Sequence, residues 1–402
     1  MDTKYVDASH GRMAYGYTTG SCSAAAAKAA VYRQLAMEKL EKVEIDTPKG
    51  WRLMLDVLQE EALHTEQLDL SWFGEMEVTT CAIRKNAGDD PDVTNGILVY
   101  ASVYCEHAAS SLTAKGVTVL IEGGLGVGRV TLPGLNQPVG AAAINQTPRD
   151  MITDEVTKAC EEMEFSGTVK VLISIPEGMD IAAKTFNGRL GIVGGISVLG
   201  TSGIVEPMSK QALLDTIKIE LKVRKESGME HLVIAPGNMG MDFMKSTYHF
   251  DLDKAVKCSN FVGETIDMAV ALGFNSIVFV GNIGKAVKLA GGIMNTHSKD
   301  ADCRMEILAS CSILAGATAT EAKDILASVT TEDVLTKMQH TPWFAKMLTI
   351  LIDKMQFYLQ NRAGKDVAVG VLTFSSVLGE LGATQYAKDI LFKLAQEESQ
   401  CL

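Results

Sequence analysis

The sequence predicts a protein of two domains that combines α/β and α+β architecture, and three observations carry this prediction. The chain has 402 residues, more than the roughly 250–300 at which a single hydrophobic core stops growing. Its first half holds short extended runs with few helices between them, whereas its second half alternates strands, glycine loops and helices. We therefore expect an N-terminal mixed or antiparallel α+β domain over residues 1–190 and a C-terminal Rossmann-like parallel α/β domain, with a helical extension, over residues 191–402.

The first domain opens with a helix signal that is followed by strands. Hydroxyls of Thr18, Thr19 and Ser21 stand at the start of the alanine-rich run 21–39, a pattern typical of a capped helix whose N-terminus attracts anions. Extended runs follow at residues 44–45, 78–84, 97–103 and 117–122, and helical patterning returns at 150–164. Because regular helices do not separate these strands, a mixed or antiparallel sheet is expected rather than a doubly wound parallel one.

The second domain is predicted from alternating strands and helices. The predicted elements are strand 195–199, loop 200–203, helix 207–226, strand 231–235, helix 260–272, strand 276–280 and a glycine loop at 281–284 that opens another helix. Residues 302–360 are predicted to be largely helical, with a strand at 367–374 and a closing helix at 386–398. This alternation indicates parallel strands that are joined by helical crossovers.

Composition excludes several classes of protein. At a net charge of −12, broad binding to nucleic acids or anionic membranes is not expected, because both call for a basic surface. The N-terminus lacks the pattern of a signal peptide, and no apolar run approaches the roughly 20 residues of a membrane span, so a cytoplasmic location is expected. The eight cysteines contain no C-x-x-C pair, which favours reduced thiols and gives no reason to expect a metal site in the protein.

The loop Gly200-Thr201-Ser202-Gly203 is the first candidate ligand site. It lies between a predicted strand and a predicted helix, where glycines allow a nucleotide-like ligand to approach and helix amides are unpaired. Because the loop is not a strict G-x-G-x-x-G, a tight strand-to-helix turn is an equal alternative. Strand 231–235 is followed by Pro236-Gly237-Asn238 rather than by an acidic residue, which weakens the case for ordinary NAD binding.

Two segments carry candidate acid–base groups. The loop 86–96 concentrates Asp89, Asp90 and Asp92, whose carboxylates suit a general base or a ligand contact, but equally an Asx-rich turn that caps its own backbone. His297 follows an apolar helical stretch and a glycine pair. It fits either a general acid or base near neutral pH or a cap at a helix C-terminus.

A set of basic side chains lies in or beside glycine-rich or turn segments. These residues are Arg129, Arg149, Lys184, Arg189, Lys285 and Lys288. Their placement suits carboxylate ligands, although a solvated surface role is an alternative for each of them. Together they offer an acidic protein the localised cations that an anionic ligand requires.

Five ordered blocks carry a resemblance to a known family. They are GYTTGSCSAAAAKAA, NAGDDPDVTNG, PVGAAAINQTPRDMI, TFNGRLGIVGGISVLGTSGIVEPMS and GNIGKAVKLAGGIMNTHS, which extend from Gly16 to Ser298. In this order they resemble the family of cobalt-precorrin-5B C-1 methyltransferases of anaerobic cobalamin biosynthesis. Leu125 and Ala141 stand where the family pattern has acidic residues, and Asn282 where it has histidine, so no role is carried over to these three positions.

The resemblance implies that the chain transfers a methyl group from S-adenosyl-L-methionine to C-1 of cobalt-precorrin-5B, giving cobalt-precorrin-6A. Cobalt would arrive only as part of the corrinoid substrate. On this basis Gly200, Thr201, Ser202 and Gly203 are assigned to the cofactor, and Asp90 and His297 are the candidates for catalytic acid–base chemistry. The residues assigned to substrate anions are Thr18, Thr19, Ser21, Lys184 and Arg189.

Two other functions are open from the sequence. The threonine–serine turn before an alanine-rich helix also suits phosphate, which would fit a kinase-like enzyme that binds ATP and magnesium. A non-catalytic corrinoid-binding protein would bind the macrocycle without the sulfonium cofactor. The oligomeric state is open as well, with a homo-oligomer among the alternatives.

Overall fold

The computed structural model describes residues 4–8, 11–59, 63–108 and 116–400. The chain forms two compact units, Met1–Lys210 and Gln211–Leu402. The boundary expected at residue 190 therefore lies at residue 210. The physical reason is strand pairing, because short strands between residues 192 and 205 bond to strands of the first unit.

The first unit is built from helices and many short strands. Its helices are α1 (Thr19–Ala36), α2 (Gln146–Glu162) and α3 (Gly178–Ile181). Its strands are β1 (Tyr5–Ala8), β2 (Gly11–Ala14), β3 (Gly16–Tyr17), β4 (Lys42–Asp46), β5 (Arg52–Asp56), β6 (Thr79–Arg84), β7 (Leu98–His107), β8 (Val117–Gly123), β9 (Gly126–Val127), β10 (Arg129–Val130), β11 (Gly167–Ser174), β12 (Ile192–Val193), β13 (Gly195–Ile196) and β14 (Ile204–Val205). Short 3-10 helices span Thr65–Gln67, Ser71–Phe73, Ala182–Lys184 and Asn187–Leu190.

A four-stranded sheet in the order β6-β7-β11-β8 forms the centre of the first unit. Strand β7 is antiparallel to both β6 and β11, and β8 is parallel to β11. The mixed sheet agrees with the α+β character expected of this half. The other strands form two-stranded pairs, in which β9 pairs with β13, β10 with β12, and β3 with β14.

Helix α1 is buried over most of its length because its side chains are small. The run from Ala24 to Ala30 contributes six alanines of at most 1% exposure to the core that α1 shares with α2 and the sheet. Alanine also has the highest helix propensity. The helix starts as the sequence predicts, since the Oγ1 of Thr18 accepts a hydrogen bond of 3.2 Å from the Ser21 amide.

The second unit alternates strands and helices. Its helices are α4 (Lys210–Glu226), α5 (Met241–Tyr248), α6 (Val262–Ala271), α7 (Ile283–Ala286), α8 (Arg304–Ala315), α9 (Ala319–Leu326), α10 (Thr331–Met338), α11 (Phe344–Ala363) and α12 (Gln385–Gln400). Its strands are β15 (His231–Ala235), β16 (Val256–Lys257), β17 (Ser276–Asn282), β18 (Ala368–Ser375) and β19 (Gly379–Ala383). Short 3-10 helices span Leu252–Lys254 and Val287–Gly291.

A five-stranded sheet in the order β16-β15-β17-β18-β19 organises the second unit. The first four strands are parallel and β19 is antiparallel to β18. Hydrophobic clusters cover both faces: Leu232 and Ile234 of β15 contribute to one, and Val233 and Ala235 to the other. Burial on both faces explains why β15 is apolar from Leu232 to Ala235. Among the residues with described structure, no helix combines the length and apolarity that a membrane span requires.

Candidate functional site

The sheet of the second unit reverses its direction of growth between β15 and β17. From β15 the chain proceeds through α5 to β16 on one side, whereas from β17 it proceeds through α7 to α11 and reaches β18 on the other. Such a point leaves a crevice at the carboxyl ends of the strands, where open α/β sheets bind ligands. A cavity of about 710 Å³ lies there, within the size range of sites for small molecules and cofactors.

One wall of this cavity is made of the loops that leave the two central strands. Pro236, Gly237, Asn238 and Met239 follow β15, and the segment 280–284 ends β17 and begins α7. Both loops bring backbone close to the cavity. The Oδ1 of Asn282 caps α7 by accepting a hydrogen bond of 2.8 Å from the Gly284 amide, so this side chain is held in place by the helix start.

The rest of the lining forms a polar wall that carries positive charge. It is lined by Asn260, Lys285, Lys288, Thr296, His297, Ser298 and Arg304. None of the described residues that line the cavity is Asp or Glu. The cavity therefore favours anionic groups of a ligand over cationic ones.

Lys288 is the most buried cation of this wall, with 1% of its surface exposed. Its Nζ donates hydrogen bonds to the carbonyl oxygens of Thr296 at 3.1 Å and Ala301 at 2.8 Å, and to the Oγ of Ser298 at 3.5 Å. Removal from water lowers the pKa of its ammonium, and the carboxylate of Asp302 opposes that shift. The lysine thus ties a polar loop to the helix that carries it.

The other two cations are more accessible. The Nζ of Lys285 donates a 2.8 Å hydrogen bond to the Oδ1 of Asn260. Arg304 makes a two-pronged contact with Asp302, through Nε at 2.6 Å and Nη2 at 2.8 Å. These hydrogen bonds from Arg304 hold the pKa of the Asp302 carboxyl below its ordinary value.

His297 lines the same cavity, in a turn that leaves its ring exposed. The Lys299 amide donates a 3.1 Å hydrogen bond to its Nδ1, so a neutral ring carries its proton on Nε2. The alternative prediction of a helix cap is wrong, because the helical segment ends at Gly291 with Gly292 as its C-cap. An acid–base role for His297 stays a prediction.

The loop Gly200–Gly203, to which the sequence assigned the cofactor, lies in the first unit. The strand before it, β13, pairs with β9, and the strand after it, β14, pairs with β3. The premise that this loop joins a strand of the parallel sheet to a helix is therefore wrong. Short apolar runs predict strands without revealing their partners. Here the partners are β9 and β3, which are strands of the first unit.

The same loop contacts the start of α1, so two groups of predicted residues come together. The Oγ1 of Thr19 donates to the Leu199 carbonyl at 3.2 Å and accepts from the Leu199 amide at 3.0 Å, and the Oγ of Ser21 donates to the Gly203 carbonyl at 2.6 Å. Thr18, Thr19 and Ser21 are all buried. The hydroxyls of Thr19 and Ser21 hold the loop on the helix, and contacts of either group with a ligand stay predictions.

The aspartate loop at 86–96 is largely engaged with its own surroundings. Asp89 accepts a hydrogen bond from the Ala14 amide at 2.6 Å, Asp90 accepts one from the Met208 amide at 2.9 Å, and Asp92 pairs with Lys85. Asp92 also accepts from the amide and the hydroxyl of Thr94. The Asx-rich structural role is thus present, and a catalytic role for Asp90 stays a prediction.

Of the six basic side chains that the sequence singled out, two lie at the cavity. Lys285 and Lys288 line it, and the alternative of a surface role is wrong for the buried Lys288. Arg129 pairs with Glu122, and Arg149 donates to the carbonyls of Ile144 and Ile121. Lys184 is exposed in the 3-10 helix Ala182–Lys184, and Arg189 is half-buried in the next one.

The sequence missed Asn260 and Arg304 as site residues. Because β13 does not belong to the five-stranded sheet, β15 is the first strand of that sheet in chain order and β16 is the second. In dinucleotide-binding folds an acidic residue follows the second strand; here that position falls after β16, at Cys258, Ser259 and Asn260. An amide side chain there keeps the cavity free of negative charge.

In the described ranges, no group of three or more His, Cys, Asp or Glu side chains is arranged to hold a metal ion. Cys303 is exposed, Cys105 is half-buried and the other described cysteines are buried, all with free thiols. Cys401 lies outside the described residues.

The matches to known proteins extend over both units. The family model described as CbiD matches residues 6–207, and the one described as CbiD, C-terminal domain, matches residues 295–385. A curated relative named Cobalt-precorrin-5B C(1)-methyltransferase, from Ruminiclostridium cellulolyticum, is 41% identical over 394 residues, which is 97% of each chain. The chain belongs to the CbiD family.

The chain is also similar to a second curated relative and to a solved structure. A relative of the same name from Alkaliphilus metalliredigens is 40% identical over 98% of each chain. Among solved structures, the chain is similar to the 1.9 Å crystal structure of cobalamin biosynthesis protein (cbiD) from Archaeoglobus fulgidus. That similarity covers 71% of this chain and 83% of that one, at 27% identity and a TM-score of 0.37.

Proposed function

We propose that this chain is a methyltransferase of anaerobic cobalamin biosynthesis that methylates C-1 of cobalt-precorrin-5B to give cobalt-precorrin-6A. The observation that carries the proposal is the 41% identity over 97% of both chains with a protein named for this reaction. Cobalt belongs to the corrinoid substrate. We take the methyl donor to be S-adenosylmethionine and the location to be cytoplasmic.

The reaction itself asks for alignment more than for a protein nucleophile. When bound, S-adenosylmethionine supplies a methyl group on a cationic sulfur, and transfer breaks the sulfur–methyl bond while a bond forms from the methyl carbon to C-1 of the corrinoid. Holding two reactants in line accounts for a large part of the acceleration in such bimolecular steps. The chain would therefore act mainly by positioning.

We infer a division of labour between the two units. The parallel strands, two-sided helix cover and cavity at the switch point support a Rossmann-like second unit that binds the methyl donor. The first unit is then the proposed site of the substrate, with Lys184 and Arg189 as exposed or half-exposed cations for its carboxylates. Asp90 and His297 are the proposed acid–base residues.

The decisive experiment supplies the purified protein with cobalt-precorrin-5B and methyl-labelled S-adenosylmethionine under anaerobic conditions. One labelled methyl group on the corrinoid is expected, with one equivalent of S-adenosylhomocysteine. Omitting the protein and omitting the corrinoid are the controls. Binding of the corrinoid without transfer of label would favour a non-catalytic corrinoid-binding protein, and calorimetric binding of ATP with magnesium would favour a kinase-like enzyme.

A further inference from the structure

We propose that the cavity of the second unit is a carboxylate-recognition site, in which Lys285 and Arg304 receive the carboxylate of a ligand. The inference rests on the proposed function for the identity of its ligands, because both reactants of that methyl transfer carry carboxylates. It also assigns Lys288 as the positioning residue that holds the polar wall in place. This binding site is distinct from the one predicted at the loop Gly200–Gly203, which does not line the cavity.

The charge of the lining carries the first step. Three cationic side chains, Lys285, Lys288 and Arg304, face a cavity whose described lining contains no carboxylate. The nearby Asp302 compensates one of them through its paired contact with Arg304. A net positive charge in a partly enclosed site attracts an anion more strongly than it would in water, because the local dielectric is lower.

The inventory of hydrogen-bond donors carries the second step. A lysine ammonium has three donors and a guanidinium five. Lys288 uses its donors on Thr296, Ser298 and Ala301, whereas Lys285 donates to Asn260. Arg304 uses Nε and Nη2 on Asp302. Further donors on Lys285 and Nη1 of Arg304 are therefore left for a ligand.

The rigidity of the wall carries the third step. Thr296 is 2% exposed, its amide donates to the Asn260 carbonyl at 2.9 Å, and its own carbonyl accepts from Lys288. Asn260 in turn accepts from Lys285 and from the Thr296 hydroxyl. This chain of contacts fixes the Lys285 ammonium relative to the polar loop, so the carboxylate site is preorganised.

The carboxylate has two sources, namely the methionine part of the methyl donor and the acidic side chains of the corrinoid. For the donor, the cationic wall suits the carboxylate and repels the sulfonium. For the corrinoid, the same wall would anchor the macrocycle by a side chain. The two sources differ in which ligands lose affinity when the cations are removed.

Isothermal calorimetry with four ligands distinguishes them. S-adenosylhomocysteine has the methionine carboxylate and 5′-methylthioadenosine lacks it; cobyrinic acid has free carboxylates and its heptamethyl ester has none. Each is titrated into the full-length protein and its Lys285→Gln and Arg304→Gln variants, with Lys346→Gln as a matched control on the exposed surface of α11. Thermal unfolding checks that every variant is folded.

We expect each cavity variant to weaken one acidic ligand by about tenfold or more, the usual effect of losing a charged hydrogen bond. The carboxylate-free analogue of that ligand should change less than about twofold, and Lys346→Gln should change nothing. Selective loss for S-adenosylhomocysteine identifies the donor as the source, and selective loss for cobyrinic acid identifies the corrinoid. Equal affinities in wild type and both variants for every ligand would overturn the inference.

A separate readout keeps this test independent of the proposed function. Transfer of labelled methyl by the wild type, together with unchanged binding in both variants, would remove the carboxylate site and leave the methyltransferase in place. If the variants selectively lose affinity for an acidic ligand but the wild type transfers no methyl group, the carboxylate site would stand and the proposed methyltransferase would not. A loss of affinity for the carboxylate-free analogues as large as that for the acidic ligands would also count against carboxylate recognition.

Discussion

The Nζ of Lys288 donates a 2.8 Å hydrogen bond to the carbonyl oxygen of Ala301, thirteen residues further along the chain. The lysine is 1% exposed, and burying an ammonium is costly unless its donors are satisfied. Here the cost is offset by oxygens of a single irregular segment, Thr296 to Ala301. The charge therefore fixes the shape of the cavity wall.

Replacing Lys288 with methionine tests this relationship. Lys288→Met keeps the length of the side chain but leaves the carbonyls of Thr296 and Ala301 without their donor, so we expect a loss of about 1.5–3 kcal/mol in the free energy of unfolding. Amide hydrogens at 296–301 should exchange faster, as measured by mass spectrometry. Lys346→Met, at an exposed site on α11, should shift stability by no more than about 0.5 kcal/mol. Unchanged exchange at 296–301 would refute the positioning role.

A pair of glycines tests the contact between the loop Gly200–Gly203 and α1. Gly200 has φ +141°, and a Cβ built on it would stand 2.3 Å from the Oγ1 of Thr18; Gly194 has φ +79° and nothing within 4 Å of such a Cβ. Both alanine variants carry backbone strain of about 1–3 kcal/mol, but only Gly200→Ala adds the clash. We expect the melting temperature of Gly200→Ala to fall clearly further than that of Gly194→Ala. Equal shifts would mean that the loop moves away from α1 at little cost.

Much of the second unit could be predicted from the sequence because its elements are long and strongly patterned. Strand β15 has the predicted bounds, His231–Ala235, and α4, α6, β17, β18 and α12 fall within a few residues of their predictions. The loops at 236–238 and 281–284, both of them noticed in the sequence, do line the cavity. Local periodicity is a reliable signal for such elements.

What failed depends on long-range pairing. Of the predicted strand 195–199, only Gly195–Ile196 forms a strand, β13, and its partner is β9; no local pattern distinguishes that partner from β15. As a result, the predicted boundary at 190 lies before these short strands, whereas the structure includes them in the first unit. Arg304 was missed for a related reason, since only the fold brings the segment after His297 back to the strand ends.

Thiol labelling tests the exposure of the segment next to Arg304. Cys303 is exposed, whereas burial raises the pKa of Cys22 and of Cys258 to about 12, and the thiolate is the reactive form. In a Cys401→Ser background, a maleimide at neutral pH should therefore modify Cys303 first among the described cysteines. Peptide mapping identifies the site, and Cys303→Ser should abolish the fast phase. Fast labelling of Cys258 would contradict the packing of the second unit.

An isosteric change separates the two roles of Asp90. Asp90→Asn keeps an oxygen that can accept from the Met208 amide, but it removes the carboxylate. If Asp90 acts as the acid or base of the reaction, the kcat of Asp90→Asn should fall about 10²- to 10⁴-fold with little change in melting temperature. Asp89→Asn is the matched control, because the carboxylate of Asp89 likewise accepts a hydrogen bond from a backbone amide, that of Ala14. Full activity of Asp90→Asn would leave Asp90 with a structural role alone.

The pair Lys85–Asp92 predicts how the first unit responds to acid. Burial alone would raise the pKa of the Asp92 carboxyl, but the Lys85 ammonium and hydrogen bonds from Thr94 outweigh it and hold the pKa below its ordinary value. A lowered pKa in the folded state stabilises the protein above the unfolded pKa of about 3.9, and this stabilisation is lost as the pH falls through the folded value. The free energy of unfolding of Asp92→Asn should therefore fall furthest below that of the wild type near pH 6, and this gap should shrink below about pH 4.

The size of that loss follows from burial. The side chain of Lys85 is 2% exposed, and removing the partner of a buried charge costs about 3–5 kcal/mol. Asp56→Asn is the control, because Asp56 pairs with Lys42 at a site where both side chains are more than half exposed, and such pairs contribute about 0–1 kcal/mol. Urea unfolding of both variants between about pH 3 and pH 6 measures the difference. A pH-independent gap between Asp92→Asn and the wild type would show that the ion pair does not govern the acid response.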